Sequence, residues 1–381
     1  MVPEFRICGL ATLPAAAASR LYCFWITGWL AISVRDVRAP TSIPSPFSRT
    51  PFTDPLRLDK LYLDTGGFLS PNLALRLGLQ DFSYRLRPAG EPFFMGTGMS
   101  EPFFSGTSSF VRNTADRDRF TPGGISLRYN PNLALQVEFW WATMVEGGPT
   151  HDDETLTALF LNGLLSERTS WNLVTALVTG NGSDREIWTV GMGLDHYTTP
   201  SRSLELFFEG YLQFGSLDEA TDREAGAVLC GVAWYGDGFW IEAAFSLRSG
   251  DDDPLDGTEK TFQSCEDVNQ FAIVESASLG LDIDTNVGSF RLAGEVTITD
   301  NLFLRLDAGR FRFHEKVRNV SGAVLAPSRD LGVELDITLR HEINPLVGAS
   351  ITFAALHSDF LDEITGESTT ALVVSGVQIR F

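Results

Sequence analysis

Apolar side chains recur at every second position along most of this chain. Leu73, Leu75, Leu77 and Leu79 share one face of a run whose other face carries Ala74, Arg76, Gly78 and Gln80. Leu204, Leu206, Phe208, Leu212 and Phe214 likewise oppose Glu205, Phe207, Glu209, Tyr211 and Gln213. Leu331, Val333, Leu335, Ile337 and Leu339 oppose Gly332, Glu334, Asp336, Thr338 and Arg340. Period two is the signature of a strand, whose successive side chains point to opposite faces. Split at Gly, Asn, Asp, Pro and Ser clusters, the pattern predicts about 15 strands, starting near residues 59, 72, 123, 132, 154, 169, 186, 203, 224, 238, 289, 301, 329, 346 and 369. Phe271 to Asp284 is a candidate for one more. In Leu302 to Lys316 the apolar parity changes across Gly309, as a bulge at that glycine would produce. The last of these strands alternates to the end of the sequence at Phe381.

Alternation alone fits either a soluble sandwich or a membrane barrel, and three features favour the barrel. The runs are about 10 to 13 residues long, near the 9 to 11 that a tilted membrane strand needs and well above the usual globular length. Aromatics gather near strand ends, as in Phe139-Trp140-Trp141, Phe207-Phe208, Trp234-Tyr235 and Phe239-Trp240, which suits interfacial girdles. Connections also alternate. Asn130-Pro131-Asn132, Gly236-Asp237-Gly238, Thr299-Asp300-Asn301 and Asn344-Pro345 read as tight turns, whereas Arg87 to Pro122, Ser249 to Asn269 and His357 to Ser368 are long. Short turns at one end and long loops at the other are the barrel arrangement. The expected class is therefore all-β, an antiparallel transmembrane β-barrel.

Composition changes this picture little. There are 28 Phe, 8 Trp and 35 Gly, and the hydrophobic content of 44% excludes a disordered chain. A formal net charge of −20 argues against a nucleic-acid partner, which would need a basic footprint. Cys8, Cys23, Cys230 and Cys265 have no metal-like spacing and imply no disulfide framework. No run of 18 apolar residues predicts a transmembrane helix. Residues 1–57 differ from 58–381. Arg6 to Ala18, or Arg20 followed by Leu21 to Val34, reads as a poor signal peptide or a mis-assigned start, and Ala39 to Pro55 as a Pro/Ser/Thr-rich linker.

Four motifs carry a resemblance. They are Asp59-Lys60-Leu61-Tyr62-Leu63-Asp64 with Leu75 to Leu86, Phe208-Glu209-Gly210-Tyr211-Leu212-Gln213-Phe214-Gly215 with Arg223 to Ala227, Ser249 to Gly257 with Thr261-Phe262, and Leu331-Gly332-Val333-Glu334-Leu335-Asp336. In this order, over residues 59 to 381, the chain resembles the alginate-export family of outer-membrane porins. Where that family has arginine ahead of the glutamine at Gln80, this chain has Leu79. The resemblance implies a monomeric, eighteen-stranded barrel in the bacterial outer membrane. About three strands would then precede Asp59, which leaves closure of the wall open.

Parity also assigns an inner face. Its expected lining is Arg76, Gln80, Arg128, Glu138, Glu205, Glu209, Glu242, Arg248, Arg291, Glu295, Arg305, Asp307, Glu334, Asp336 and Arg340. Both signs occur in similar numbers, so a polyanion gains no strong attraction from this wall. Asp251-Asp252-Asp253 with Asp256 is either a Ca²⁺-type oxygen cluster or a solvated acidic loop. His196 and His341 show no catalytic spacing, and no nucleophile elbow, P-loop or dinucleotide motif occurs in a useful context. The expected function is non-enzymatic and needs no cofactor. It is passage of polysaccharide or small polar solutes through a lipid-embedded channel, or else a non-conducting structural or surface-binding barrel. The repeated Glu-Pro-Phe-Phe at residues 91–94 and 101–104 marks Arg87 to Pro122 as a candidate plug.

Overall fold

The computed structural model describes residues 29–35, 57–65, 70–79, 123–145, 154–180, 184–263, 271–274, 285–317, 322, 324, 328–344 and 347–379. Among them, the strands in chain order are β1 (Trp29–Arg35), β2 (Arg57–Asp64), β3 (Leu73–Leu79), β4 (Gly123–Asn132), β5 (Leu135–Val145), β6 (Glu154–Ser166), β7 (Thr169–Gly180) and β8 (Glu186–Tyr197). There follow β9 (Leu204–Ser216), β10 (Asp222–Gly236), β11 (Phe239–Arg248), the two-residue β12 (Thr258–Glu259), β13 (Val287–Thr299), β14 (Leu302–Phe313), β15 (Asp330–Asn344), β16 (Val347–His357) and β17 (Thr369–Ile379). One helix, α1 (Asp359–Thr365), lies between β16 and β17.

Each long strand pairs antiparallel with its successor, and β11 pairs directly with β13. The result is a meander of sixteen long strands, with β12 set apart as a short parallel pairing on the start of β10. No ladder joins β1 to β17 among the described residues, so the sheet is open there. All fifteen expected strands are present, with starts shifted by three residues or fewer. The sixteenth is β1, which lies inside the segment read as an apolar signal core and pairs with β2. It supplies one strand upstream of Asp59. The candidate strand at Phe271 fails over its described part, because residues 271–274 form bends.

The direction of burial separates barrel from sandwich. On β9, Leu206, Phe208, Leu212 and Phe214 are 38–62% exposed, while Glu205, Phe207, Glu209, Tyr211 and Gln213 are 0–4% exposed. The greasy face is therefore outside and the polar face inside, the reverse of a soluble sandwich. The same holds on β15, with Val333, Leu335, Ile337 and Leu339 outside and Glu334 and Asp336 buried. Parity also divides the aromatic clusters. Trp140 and Phe207 face inward, whereas Trp234 faces outward and meets Phe239 edge-on at 5.3 Å beside the Asp237–Gly238 turn.

Two local expectations change. The β4–β5 turn falls at Leu133-Ala134, with the Asn132 side chain accepting from the Ala134 N–H at 2.8 Å, so Leu133 belongs to the turn and not to a strand face. There is no bulge at Gly309, whose ladders to Arg291 and Glu334 are continuous. Parity is kept there, and Phe311 and Phe313 are inner-face residues that happen to be apolar. The bulge sits on the neighbouring strand, where the β14–β15 register slips between Phe311 and Arg312 and Gly332 takes φ 119°.

Placing a charge on the outer face tests the orientation. Leu212→Arg should lower the stability of protein refolded into phospholipid vesicles by about 2–4 kcal/mol if it reaches the mid-bilayer. Urea unfolding followed by tryptophan fluorescence measures this, and an unchanged midpoint would count against a lipid-facing Leu212.

Candidate functional site

The inner face satisfies its own charges by contacts both within strands and between them. The Arg76 guanidinium donates to Asp64 at 2.8 and 3.2 Å. Arg128 donates twice to Glu138 at 3.2 Å, and Glu138 also accepts from Gln136 at 3.2 Å and from the Trp140 indole at 2.8 Å. Arg305 grips Asp307 through both oxygens at 2.7 and 2.9 Å, and Arg340 reaches Glu295 at 3.3 Å and Glu342 at 3.9 Å. Tyrosines serve two more acids: Tyr211 donates to Glu209 at 2.8 Å and Tyr235 to Glu205 at 2.5 Å. The ladders put Glu242, Arg248 and Arg291 on the same face. Every expected lining residue within the described set thus points inward, and Gln80 lies outside that set, as do residues 80–122 with their Glu-Pro-Phe-Phe repeat.

A different loop crosses this face. After β11 the chain leaves the wall at Ser249, whose hydroxyl accepts from the Gly226 N–H at 2.9 Å and donates to the Lys260 carbonyl at 2.6 Å. β12 lies along Asp222 and Arg223. The chain then turns inward, where the Arg223 guanidinium donates to the Thr261 carbonyl and Gln213 pairs with the Gln263 backbone. In that pairing the Gln213 amide donates to the Gln263 carbonyl at 2.8 Å and accepts from its N–H at 3.0 Å, as a neighbouring strand would. Phe262 is fully buried, 6.3 Å from the Tyr211 ring.

Residues 271–274, in the same connection between β11 and β13, meet the inner face of β14 and β15. Three consecutive backbone N–H groups point at two buried carboxylates: Ala272 donates to Asp336 at 2.8 Å, Ile273 to Glu334 at 2.6 Å and Val274 to the other Glu334 oxygen at 2.8 Å. Phe271 packs edge-on against Phe311 at 4.9 Å. Gly309 makes this approach feasible, since a Cβ there would sit 2.4 Å from the Phe311 ring and 2.8 Å from that of Phe271. Phe313, Phe360 of α1 and Leu356 close the cluster. Carboxylates on β15 thus do for loop amides what a sheet would do, because an unpaired buried N–H costs about 1–3 kcal/mol.

Gln213 and Arg223 were absent from the expected lining. Arg223 lies ahead of the expected strand start at Glu224, as the second residue of the observed β10, and Gln213 shares the polar face of β9 with Glu205 and Glu209 without a charge to mark it. Three of the four resemblance motifs converge here. Glu209 to Gln213, Ser249 to Phe262, and Gly332 to Asp336 are the anchors and the body of the crossing loop.

Comparison with solved structures matches this architecture to outer-membrane porins of Pseudomonas aeruginosa. OccD3 (OpdP) aligns at TM-score 0.55 and 11% identity, over 86% of this chain and 78% of that one. OccK5 (OpdH) aligns at 0.51 and 14%, and OccK11 (OpdR) at 0.50 and 14%, each over 86% of this chain and 82% of the other. The fold is that of a porin barrel. No family model and no curated protein matches the chain. The comparisons do not reach as far as an alginate-export assignment, which rests on the four motifs alone.

In this porin fold the acidic loop forms its own ion pairs. Lys260 bridges Asp252 at 2.7 Å and Asp256 at 3.1 Å, and among the described residues no cluster of acids, histidines or cysteines has metal-binding geometry. Two of the four aspartates thus serve one ammonium, and those hydrogen bonds hold its pKa well above the ordinary lysine range. The histidines are tied at strand ends: His196 Nδ1 lies 2.9 Å from the Thr169 hydroxyl, and His341 Nε2 lies 3.1 Å from the Asn301 amide. Burial pushes the Asp251 carboxyl up to about 6, with Glu259 and Asp256 adding to the rise.

Two measurements test the loop. Glu334→Ala should leave the Ile273 and Val274 amides without acceptors, at about 1–3 kcal/mol each. Their hydrogen exchange should then accelerate while exchange of the outer-wall ladders stays unchanged. Asp251 titrates near 6 in the fold and near 3.8 when free, so the packed loop retains a proton across that window and is stabilised as pH falls through 6. Exchange of the Phe262 amide, corrected for intrinsic rate, should therefore slow on acidification from about pH 7.5 to about 5, a change that Asp251→Asn abolishes.

Proposed function

We propose that the chain is a passive diffusion channel of a Gram-negative outer membrane, admitting small polar solutes through a mixed-charge lumen narrowed by the 249–274 loop. The observation that carries this is the inverted wall: apolar side chains exposed outside, paired charges inside, on sixteen strands of a porin fold. Lipid is its surrounding partner, and no step of its action calls for a catalytic group or cofactor. The charges favour small polar solutes over polysaccharide. A long polyanion needs a wide, net-basic path, whereas here Arg76, Arg128, Arg305 and Arg340 each stand beside a carboxylate, and residues 261–263 and 271–274 pack on the inner face.

One observation favours the second reading, a non-conducting barrel. Leu156, Phe160, Val174 and Ile187 on the inner faces of β6 to β8 are 0–2% exposed, so that part of the interior is filled. Conductance separates the two. The full chain, refolded and shown to be heat-modifiable on gels, should give discrete single-channel steps in planar bilayers. Shortening the loop at residues 252–257 together with Arg223→Ala should enlarge those steps. Silence from a demonstrably folded barrel would sink the channel reading in favour of the structural one.

A further inference from the structure

The outer face carries a pattern that passage of solutes does not use. On β14 the outward residues run Leu302, Leu304, Leu306, Ala308, then Arg310 and Arg312. Both arginines are exposed on the lipid-facing side. Along a strand rising about 3.3 Å per residue and tilted about 40°, they stand roughly 20 and 25 Å from the level of Leu302. An apolar band in such walls is about 25 Å tall, so the pair sits at its upper edge, on the end that bears the long loops. Their neighbours mark the same level. Phe290 on β13, 51% exposed, and Val333 on β15, 43% exposed, lie directly opposite Arg310.

Asp330 pairs with Arg310 and lies across from Arg312 in the ladder. One carboxylate against two guanidiniums leaves a net positive charge on this wall, and the pairing with Asp330 holds Arg310 against the strand instead of letting it fold into solvent. The Arg310 side chain is still 57% exposed. Among the described side chains elsewhere on the same rim, Glu186 on β8 and Asp222 and Glu224 on β10 turn acidic charge outward. Against them, β14 turns two guanidiniums outward.

We propose that Arg310 and Arg312 form a docking site for the phosphate of an outer-leaflet glycolipid, with its acyl chains along Phe290, Leu292, Leu306 and Leu335. Guanidinium recognises phosphate through paired, planar N–H bonds, and two arginines two residues apart on one strand face lie close enough to serve one headgroup. The inference rests on the membrane-barrel reading, but not on conduction.

The test uses the folded full chain in detergent and bis-phosphorylated lipid A as probe, with binding followed by native mass spectrometry. Wild type should bind it about tenfold or more tightly than the same lipid with both phosphates removed, and Arg310→Ser/Arg312→Ser should lose that difference. Arg202→Ser, whose guanidinium donates to the Glu167 carbonyl at the opposite end of the wall, should keep it. Equal binding of phosphorylated and dephosphorylated lipid by wild type overturns the proposal without any variant having to fold. So does a cross-linked dimer through this face that the double substitution abolishes while lipid binding stays unchanged. Failure of the chain to insert into membranes at all would instead overturn the barrel reading.

Discussion

A polypeptide in hydrocarbon has no water to satisfy its backbone, so each N–H and C=O within the membrane must find a partner in the protein. Everything else in this chain follows from the way sixteen strands meet that demand. Each hydrogen-bonds to the next in sequence, and the even number leaves the first and last running antiparallel, as closure of such a wall needs. Once the ladder register is set, side-chain parity has no freedom left. A residue faces lipid or the interior according to whether its number is odd or even within its strand, and one residue of slip would exchange the two faces.

The interior then has its own problem. Carboxylates and guanidiniums turned away from lipid are also partly removed from bulk water, and they are tolerable only when paired. Cross-strand neighbours do most of this, as in Arg128 with Glu138 and Arg76 with Asp64. Glu334 and Asp336 take another course and accept backbone amides from a loop that would otherwise bury them unsatisfied. The same side chains therefore neutralise the loop's polar cost and fix its position across the interior. Gln213 on β9 does likewise for the Gln263 backbone, with neutral chemistry. Holding the loop against the wall and satisfying the inner carboxylates are here one set of hydrogen bonds.

Legibility in the sequence followed the physics of each feature. The inward positions of Arg305, Asp307, Glu334 and Arg340 were readable because parity is local and strict. The contrast between Phe311 and Leu306 mimics a bulge at Gly309, since inner residues are usually polar. Phe311 is inner and apolar because Phe271 packs on it, a contact between residues 40 apart that no window along the chain contains. Trp140 presents the same lesson, being placed inside by parity and kept there by Glu138 and Phe160. β1 was hidden because Trp29 to Arg35 reads as well as a signal core as it does a strand, and only its ladder to β2 distinguishes the two.

By itself the sequence determined the strand repeat, the alternation of short turns and long loops, and which charges share a face, because all of these depend on neighbours one or two residues away. The tertiary structure decided which face is outside, that residues 249–263 and 271–274 pack on the inner face, and that the amides of 272–274 are held by Glu334 and Asp336 from more than fifty residues downstream. Those outcomes depend on distances between strands and on where a loop's unsatisfied backbone finds acceptors. Hydrogen bonds of that kind are made in space, between segments whose separation along the chain carries no trace of the contact.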